Sequence, residues 1–290
     1  MSDRQRILLR VLLIVVGAGI LIYPSVSEFL SEKNISRAVA SYDTTVQDME
    51  QQQQNDLLQA ASRYNQLLEP SAGSRSLSFD ENGKPLSQES YRRILDIDGN
   101  GMMGYISIPK LNLTVPIYHG TSEAVLQVGV GHLENSSFPV GGESTHACLS
   151  GHRGLPTADL FTDLDKMGTG DVFYIKVLNR TLCYQVDQIL TVLPQETQEL
   201  AISKGKDYVT LITCTPYSVN SHRLLIRGVR KPYEENKPIP VYEAEVSLSF
   251  WERLSPQYRH MLIGVGAVLL FLLVRRLVLI LIRKRRKKEA

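Results

Sequence analysis

Between Met102 and Arg230 the chain is cut into short runs of Val, Ile, Leu, Thr and Tyr, separated every few residues by Gly, Pro or Asn. Runs this short and this rich in β-branched residues read as strands rather than helices. The spacing predicts strands at Gly104–Ile108, Leu113–Tyr118, Thr145–Ser150, Val172–Leu178, Thr181–Leu193, Val209–Cys214 and Arg223–Val229. Short helical turns are expected at Ser122–Gln127 and Leu160–Met167. Many short strands with little helix fit an antiparallel sandwich or barrel, and periodicity alone does not choose between them.

The flanks differ. Arg4, Arg6 and Arg10 precede a charge-free apolar run, Val11–Tyr23. That pattern marks a signal peptide or a signal anchor over residues 1–24; without a clean small-x-small cleavage site the retained anchor is the expectation. Residues 25–70 read as helical: Ile35, Val39, Tyr42, Val46 and Met49 form one stripe, Gln51–Gln54 interrupts it, and Leu57, Ala61, Tyr64 and Leu68 resume it. Residues 71–98 are polar and Gly/Ser-containing, as in a long loop, and 232–257 carry four prolines, as in a linker. Residues 258–282 are a second spanning candidate, with Arg275 and Arg276 snorkelling to an interface, followed by a basic tail at 283–290. Basic flanks at both ends place them in the cytoplasm and the residues between the spans outside.

Charge supports that layout. Residues 1–10 hold three arginines against one aspartate, and 261–290 hold eight basic residues against one glutamate. The whole chain carries +2, so residues 11–260 are left with −7. An acidic exposed domain excludes nucleic acid as the expected partner and leaves the membrane, through two spans, as one.

Chemistry concentrates in Tyr208–Val229. Cys214 ends one strand-like run and Arg223 opens the next, so the two could face each other across a loop. An arginine beside a reactive thiol can favour thiolate and can hold a developing oxyanion. By spacing alone the commoner arrangement is a buried cysteine followed by a surface arginine. Cys148 and Cys183 lie inside apolar runs and read as buried thiols, and no Cys/His spacing matches a zinc site. Of six histidines, His260 abuts the second span, and His222 alternates away from the face of Arg223. His152 sits just past a strand end, a setting suited to an exposed catalytic group.

The segment Thr210–Cys214, TLITC, followed by TPYSVNSHRLLIRG, resembles the active-site region of the sortases, most closely the pilin-polymerising class C. Leu149–Gly154, LSGHRG, is similar to the sortase histidine motif. Gly99–Leu111, Pro116–Glu134 and Phe138–Gly142 continue the likeness in the same order. The resemblance implies a mainly β fold, a closed antiparallel sortase-type β-barrel over residues 99–231, with an N-terminal helical segment and terminal transmembrane helices. It implies a cysteine transpeptidase on the outer face of a Gram-positive-type cell membrane. Such an enzyme cleaves an LPxTG-like sorting signal after Thr and joins the acyl group to a pilin lysine. Cys214 would be the nucleophile, His152 the acid and Arg223 the oxyanion or substrate clamp, with Leu211, Thr213, Thr215 and Tyr217 near the groove. Implied partners are pilins or surface proteins bearing sorting signals, and no metal or organic cofactor is implied. In class C sortases a lid ahead of the barrel carries an Asp-Pro-aromatic plug; here Phe79-Asp80 is the nearest candidate, in reversed order and without proline. Two other readings are a sortase that anchors proteins to a cell-wall precursor and a catalytically silent tethered binding domain.

Overall fold

In the computed structural model the described residues are 3–68, 88–155, 157–233, 262–266, 272 and 275–276. Strand β1 (Met102–Ile108) turns into β2 (Leu113–His119) through a 3-10 turn, Pro109–Leu111, that closes on Asn112 at φ 56°. Proline presets the first φ and asparagine tolerates the left-handed exit, so this hairpin is encoded locally. The remaining strands are β3 (Val130–His132), β4 (Thr145–Ser150), β5 (Val172–Val177), β6 (Arg180–Val192), β7 (Asp207–Thr215) and β8 (His222–Lys231). They close into a barrel in the order β1-β2-β3-β4-β7-β8-β6-β5, with β5 paired back onto β1.

The seven expected strands all form, with ends shifted by at most two residues. The three-residue β3 has too little sequence to show a period and was not anticipated. The barrel is not wholly antiparallel: β2–β3 and β4–β7 run parallel. A parallel pair needs a crossover that carries the chain back. Residues 120–129, including the short helix α4 (Glu123–Leu126), do this for the first pair, and the β5–β6 hairpin with its flanks does it for the second.

Two helices pack on the barrel. The break between α1 (Asp3–Asp48) and α2 (Gln51–Leu67) falls at Met49–Glu50, not within Gln51–Gln54 as expected. The glutamines are helical, and buried Gln54 donates from Nε2 to the carbonyls of Val46 (3.0 Å) and Met49 (3.2 Å), closing the end of α1. Val39, Tyr42 and Val46 of α1 and Leu58, Ala61, Tyr64 and Leu68 of α2 are buried in the main core. Polar clamps fix the docking. The Tyr42 hydroxyl donates to Met103 O and accepts from Leu178 N, while the Asn65 amide exchanges two hydrogen bonds with the backbone of Phe138. Each such bond contributes about 1 kcal/mol net, and leaving its buried partner bare would cost more.

The segment 71–98, expected as an irregular loop, contains helix α3 (Gln88–Arg93). Tyr91 and Leu95 enter the core, and the Tyr91 hydroxyl accepts from Gly120 N and donates to His132 Nδ1. Phe79 and Asp80 lie outside the described residues.

The chain divides into two units, Ser27–Ala244 and Met1–Val26 with Glu245–Ala290. In the second unit Leu8, Leu13, Val15 and Ile20 are exposed along α1. An 18-residue stretch of that helix reaches a mean hydropathy of 2.4, enough by length and composition to cross a membrane. Among the described residues it is the only such helix; of the second expected span, residues 262–266, 272 and 275–276 are described, as helix.

Candidate active site

Strands β7 and β8 pair from Tyr208↔Val229 to Thr215↔His222, which sets Cys214 directly opposite Arg223. Cross-strand partners on one face hold their Cβ atoms about 4.5–5.5 Å apart. The connecting turn is tight: Val219 N and Asn220 N both donate to Pro216 O, with Ser218 and Asn220 in left-handed conformations. The Arg223 guanidinium donates from Nη1 to Asn220 O (3.2 Å) and His222 O (3.0 Å), so its fork is held at the mouth of the turn.

Strand alternation puts Ile212 and Leu225 on the same face as this pair. With Cys148 they form a small buried cluster separate from the main core, flanked by Leu133, Leu190, Val192 and Leu200. Val192 pairs with Arg223 and Leu190 with Leu225, so β6 extends the apolar wall beside the half-buried Cys214.

His152 comes from the loop after β4. Ser150 pairs with Ile212, Gly151 N donates to Ile212 O (3.0 Å), and Thr213 Oγ1 donates to Gly151 O (2.8 Å). On the other side of His152, Arg153 donates from Nη1 to Thr215 Oγ1 (3.2 Å) and from Nε to Thr162 O (3.1 Å), and pairs with Asp165. The residues on both sides of His152 are thus bonded to residues on both sides of Cys214, which sets the two chain segments side by side. Gly151 permits the approach, because a Cβ there would lie 2.6 Å from the ring of Phe161. His152 Nε2 is covered and has no hydrogen-bond partner among the described residues; Glu123 Oε2, at 3.5 Å, is at ion-pair rather than hydrogen-bond reach. Gln127's hydrogen bond and the nearby His152 hold the Glu123 carboxyl below its usual range. Apart from Glu123, that ring nitrogen keeps its hydrogen-bonding capacity unspent.

The other described histidines are spent on structure. His132 is fully buried and stacks against both Tyr91 and Phe138, which also stack on each other, and burial pushes it down to about 4. His146 bonds to Ala201 O and Thr210 Oγ1, and His119 sets both ring nitrogens against the carbonyls of Gly101 and Ile94. His222 bonds to Ser221 Oγ, and His260 lies outside the described residues.

The four expected groove positions separate. Tyr217 is 56% exposed and covers Gly154, and Thr215 is half-buried beside Cys214, so both border the site. Leu211 is wholly buried in the main core and Thr213 spends its hydroxyl on Gly151, so neither lines an open groove. Alternation explains the correction: odd-numbered positions up to Thr213 face away from the side that carries Cys214. All three cysteines are free thiols, and burial pushes Cys148 up to about 12, which disfavours it as a nucleophile. The sequence reading missed Arg153 and Glu123; the histidine-arginine order in LSGHRG was the available signal for the first.

The sortase domain family matches residues 106–231. Sortase C1 from Streptococcus agalactiae is 48% identical, with a TM-score of 0.62, covering 68% of this chain and 100% of that one. Sortase C from Streptococcus pneumoniae is 44% identical, with a TM-score of 0.61, covering 70% and 100%. Sortase A from Bacillus anthracis is 30% identical over 132 residues, covering 46% of this chain and 61% of the relative, so the match spans about three-fifths of that protein. Barrel order, the Cys214–Arg223 register and the placement of His152 occur here in a chain that these proteins resemble across the whole barrel. The chain therefore belongs to the sortase family, with class C sortases as its structural neighbours.

Proposed function

We propose that the protein is a cysteine transpeptidase that cleaves an LPxTG-like sorting signal after its threonine and joins the acyl group to a lysine of a pilin subunit. The observation that carries this reading is Cys214 set in register with Arg223, with His152 strapped alongside. The thiolate of Cys214 attacks the threonine carbonyl, and the Arg223 fork holds the oxyanion of the tetrahedral intermediate. His152, as imidazolium, protonates the departing amine as the C–N bond breaks, leaving a thioester. A lysine amine then attacks the thioester, giving its proton to His152 and expelling the Cys214 thiolate as the isopeptide forms.

The apolar wall of Ile212, Leu225, Leu190 and Val192 limits water at the thioester, favouring aminolysis over hydrolysis. The pilin assignment draws on the Streptococcus pneumoniae sortase C, whose structure bears on pilin substrate specificity. An anchor in the membrane, with the barrel outside the cell, would confine enzyme and membrane-held substrates to one surface and raise their effective concentration.

The test mixes the full chain with a sorting-signal peptide and a pilin lysine donor, beside a variant lacking residues 71–86 so that a covered site is not mistaken for an inactive one. Isopeptide product supports the reading. Product only with a cell-wall amine assigns the anchoring role, and absence of product from both proteins overturns transpeptidation.

A further inference from the structure

Beside the face that α2 packs on the barrel runs a polar row that is exposed at Gln51 and Asn55 and half-buried at Ser62. Gln51, Asn55 and Ser62, with Leu58 among them, border a cavity of about 950 Å³. Its opposite wall is the end of the barrel remote from Cys214. Lys176 near the end of β5, Arg180 opening β6 and Arg230 near the end of β8 bring three cations to it. The one carboxylate in the lining, Asp207, is engaged by Gly142 N (2.9 Å) and the Tyr184 hydroxyl (2.9 Å). None of the three cations forms an ion pair among the described residues, and Nη1 of Arg230 is buried without a hydrogen-bond partner. A buried guanidinium N–H without an acceptor is a deficit that a ligand oxygen would remove.

We infer that this cavity binds a phosphate ester of a polyol, of the glycerol phosphate kind. A carboxylate is satisfied by a single arginine fork, whereas cations on three separate elements match the several oxygens of a tetrahedral phosphate. The neutral amides and hydroxyl of Gln51, Asn55 and Ser62 suit the hydroxyls of the polyol. Asp207 and Cys214 stand at opposite ends of β7, about 23 Å apart at about 3.3 Å per residue. The site therefore anchors the protein to a ligand and takes no part in bond chemistry at Cys214. The ligand could be an anionic phospholipid headgroup or a non-lipid polyol phosphate.

The test titrates sn-glycerol 3-phosphate into the full chain in phosphatidylcholine nanodiscs, followed by calorimetry. Saturable binding is expected, displaced by inorganic phosphate and not by acetate. Arg180→Ala and Lys176→Ala should each weaken it about tenfold, the loss of one charge-assisted contact, and leave acylation of Cys214 unchanged. Arg230→Gln should abolish it; because Arg230 lies 5.5 Å from the Tyr184 ring, its thermal midpoint is measured alongside, and the two exposed-side variants carry the test if it unfolds. Competition from phosphatidylglycerol in the nanodisc identifies a lipid headgroup as the source, and its absence a non-lipid phosphate; either supports the site. No saturable binding up to about 10 mM, or binding indifferent to both Arg180→Ala and Lys176→Ala, overturns the inference.

Discussion

Replacing Arg153 by Met tests whether the strap beside His152 sets the geometry on which acylation depends. Methionine keeps the aliphatic stem and removes all three donor contacts. The bonds to Thr162 O and Thr215 Oγ1 come from a side chain only 9% exposed, so each is assigned about 1.5 kcal/mol. The Asp165 partner is 48% exposed, which reduces that ion pair to about 0.5 kcal/mol. The sum, about 3.5 kcal/mol, bounds what the loop can lose and corresponds to between two and three orders of magnitude in its ordered population, about 1.4 kcal/mol per tenfold. Phe161 still packs against Gly151 and still donates to His152 O, so the loop should loosen without the barrel unfolding. Single-turnover acylation by a sorting-signal peptide, followed by intact-protein mass, should slow between about tenfold and a hundredfold. A folded variant that acylates within about twofold of the parent would refute the reasoning.

Three further outcomes are expected. His132, held neutral by burial at about 4 against an ordinary 6.5, contributes stability that is present above pH 6.5 and lost as pH falls through about 4. Urea unfolding across that window should show a decline of up to about 3 kcal/mol, largely flattened in His132→Asn. Glu28 is raised to about 7, first by burial and then by the Asp159 carboxyl. Its contribution is full below pH 4.5 and lost as pH rises through about 7; at half burial the loss should be about 1 kcal/mol, and unfolding of Glu28→Gln should lack that alkaline slope. Arg223→Lys keeps the charge and loses the fork, so steady-state kinetics should show kcat down about tenfold or more with a smaller change in KM.

Much of the barrel was legible because strand runs and turn residues agree along Met102–Lys231. Cys214 facing Arg223 followed from two runs and one loop, and the observed register places them as partners. The parallel seams were not legible, because direction depends on where β3 and the β5–β6 hairpin lie in three dimensions. The helix break was misplaced because Gln54 serves as a buried cap, a tertiary use that its polarity conceals. Leu211 looked like a groove residue from its nearness to Cys214, yet alternation sends it into the core. Arg153 reaches across 62 residues of sequence to Thr215, a contact that local pattern does not carry.

The most direct measurement is tandem mass spectrometry of the chain lacking residues 71–86, quenched after mixing with an LPxTG-like peptide. The account predicts a thioester on Cys214 carrying the peptide truncated after threonine, absent in His152→Ala and Arg223→Ala, with Cys148 and Cys183 unmodified. Acyl transfer to Cys183, or an adduct on Cys214 that forms equally well without His152 and Arg223, would contradict it.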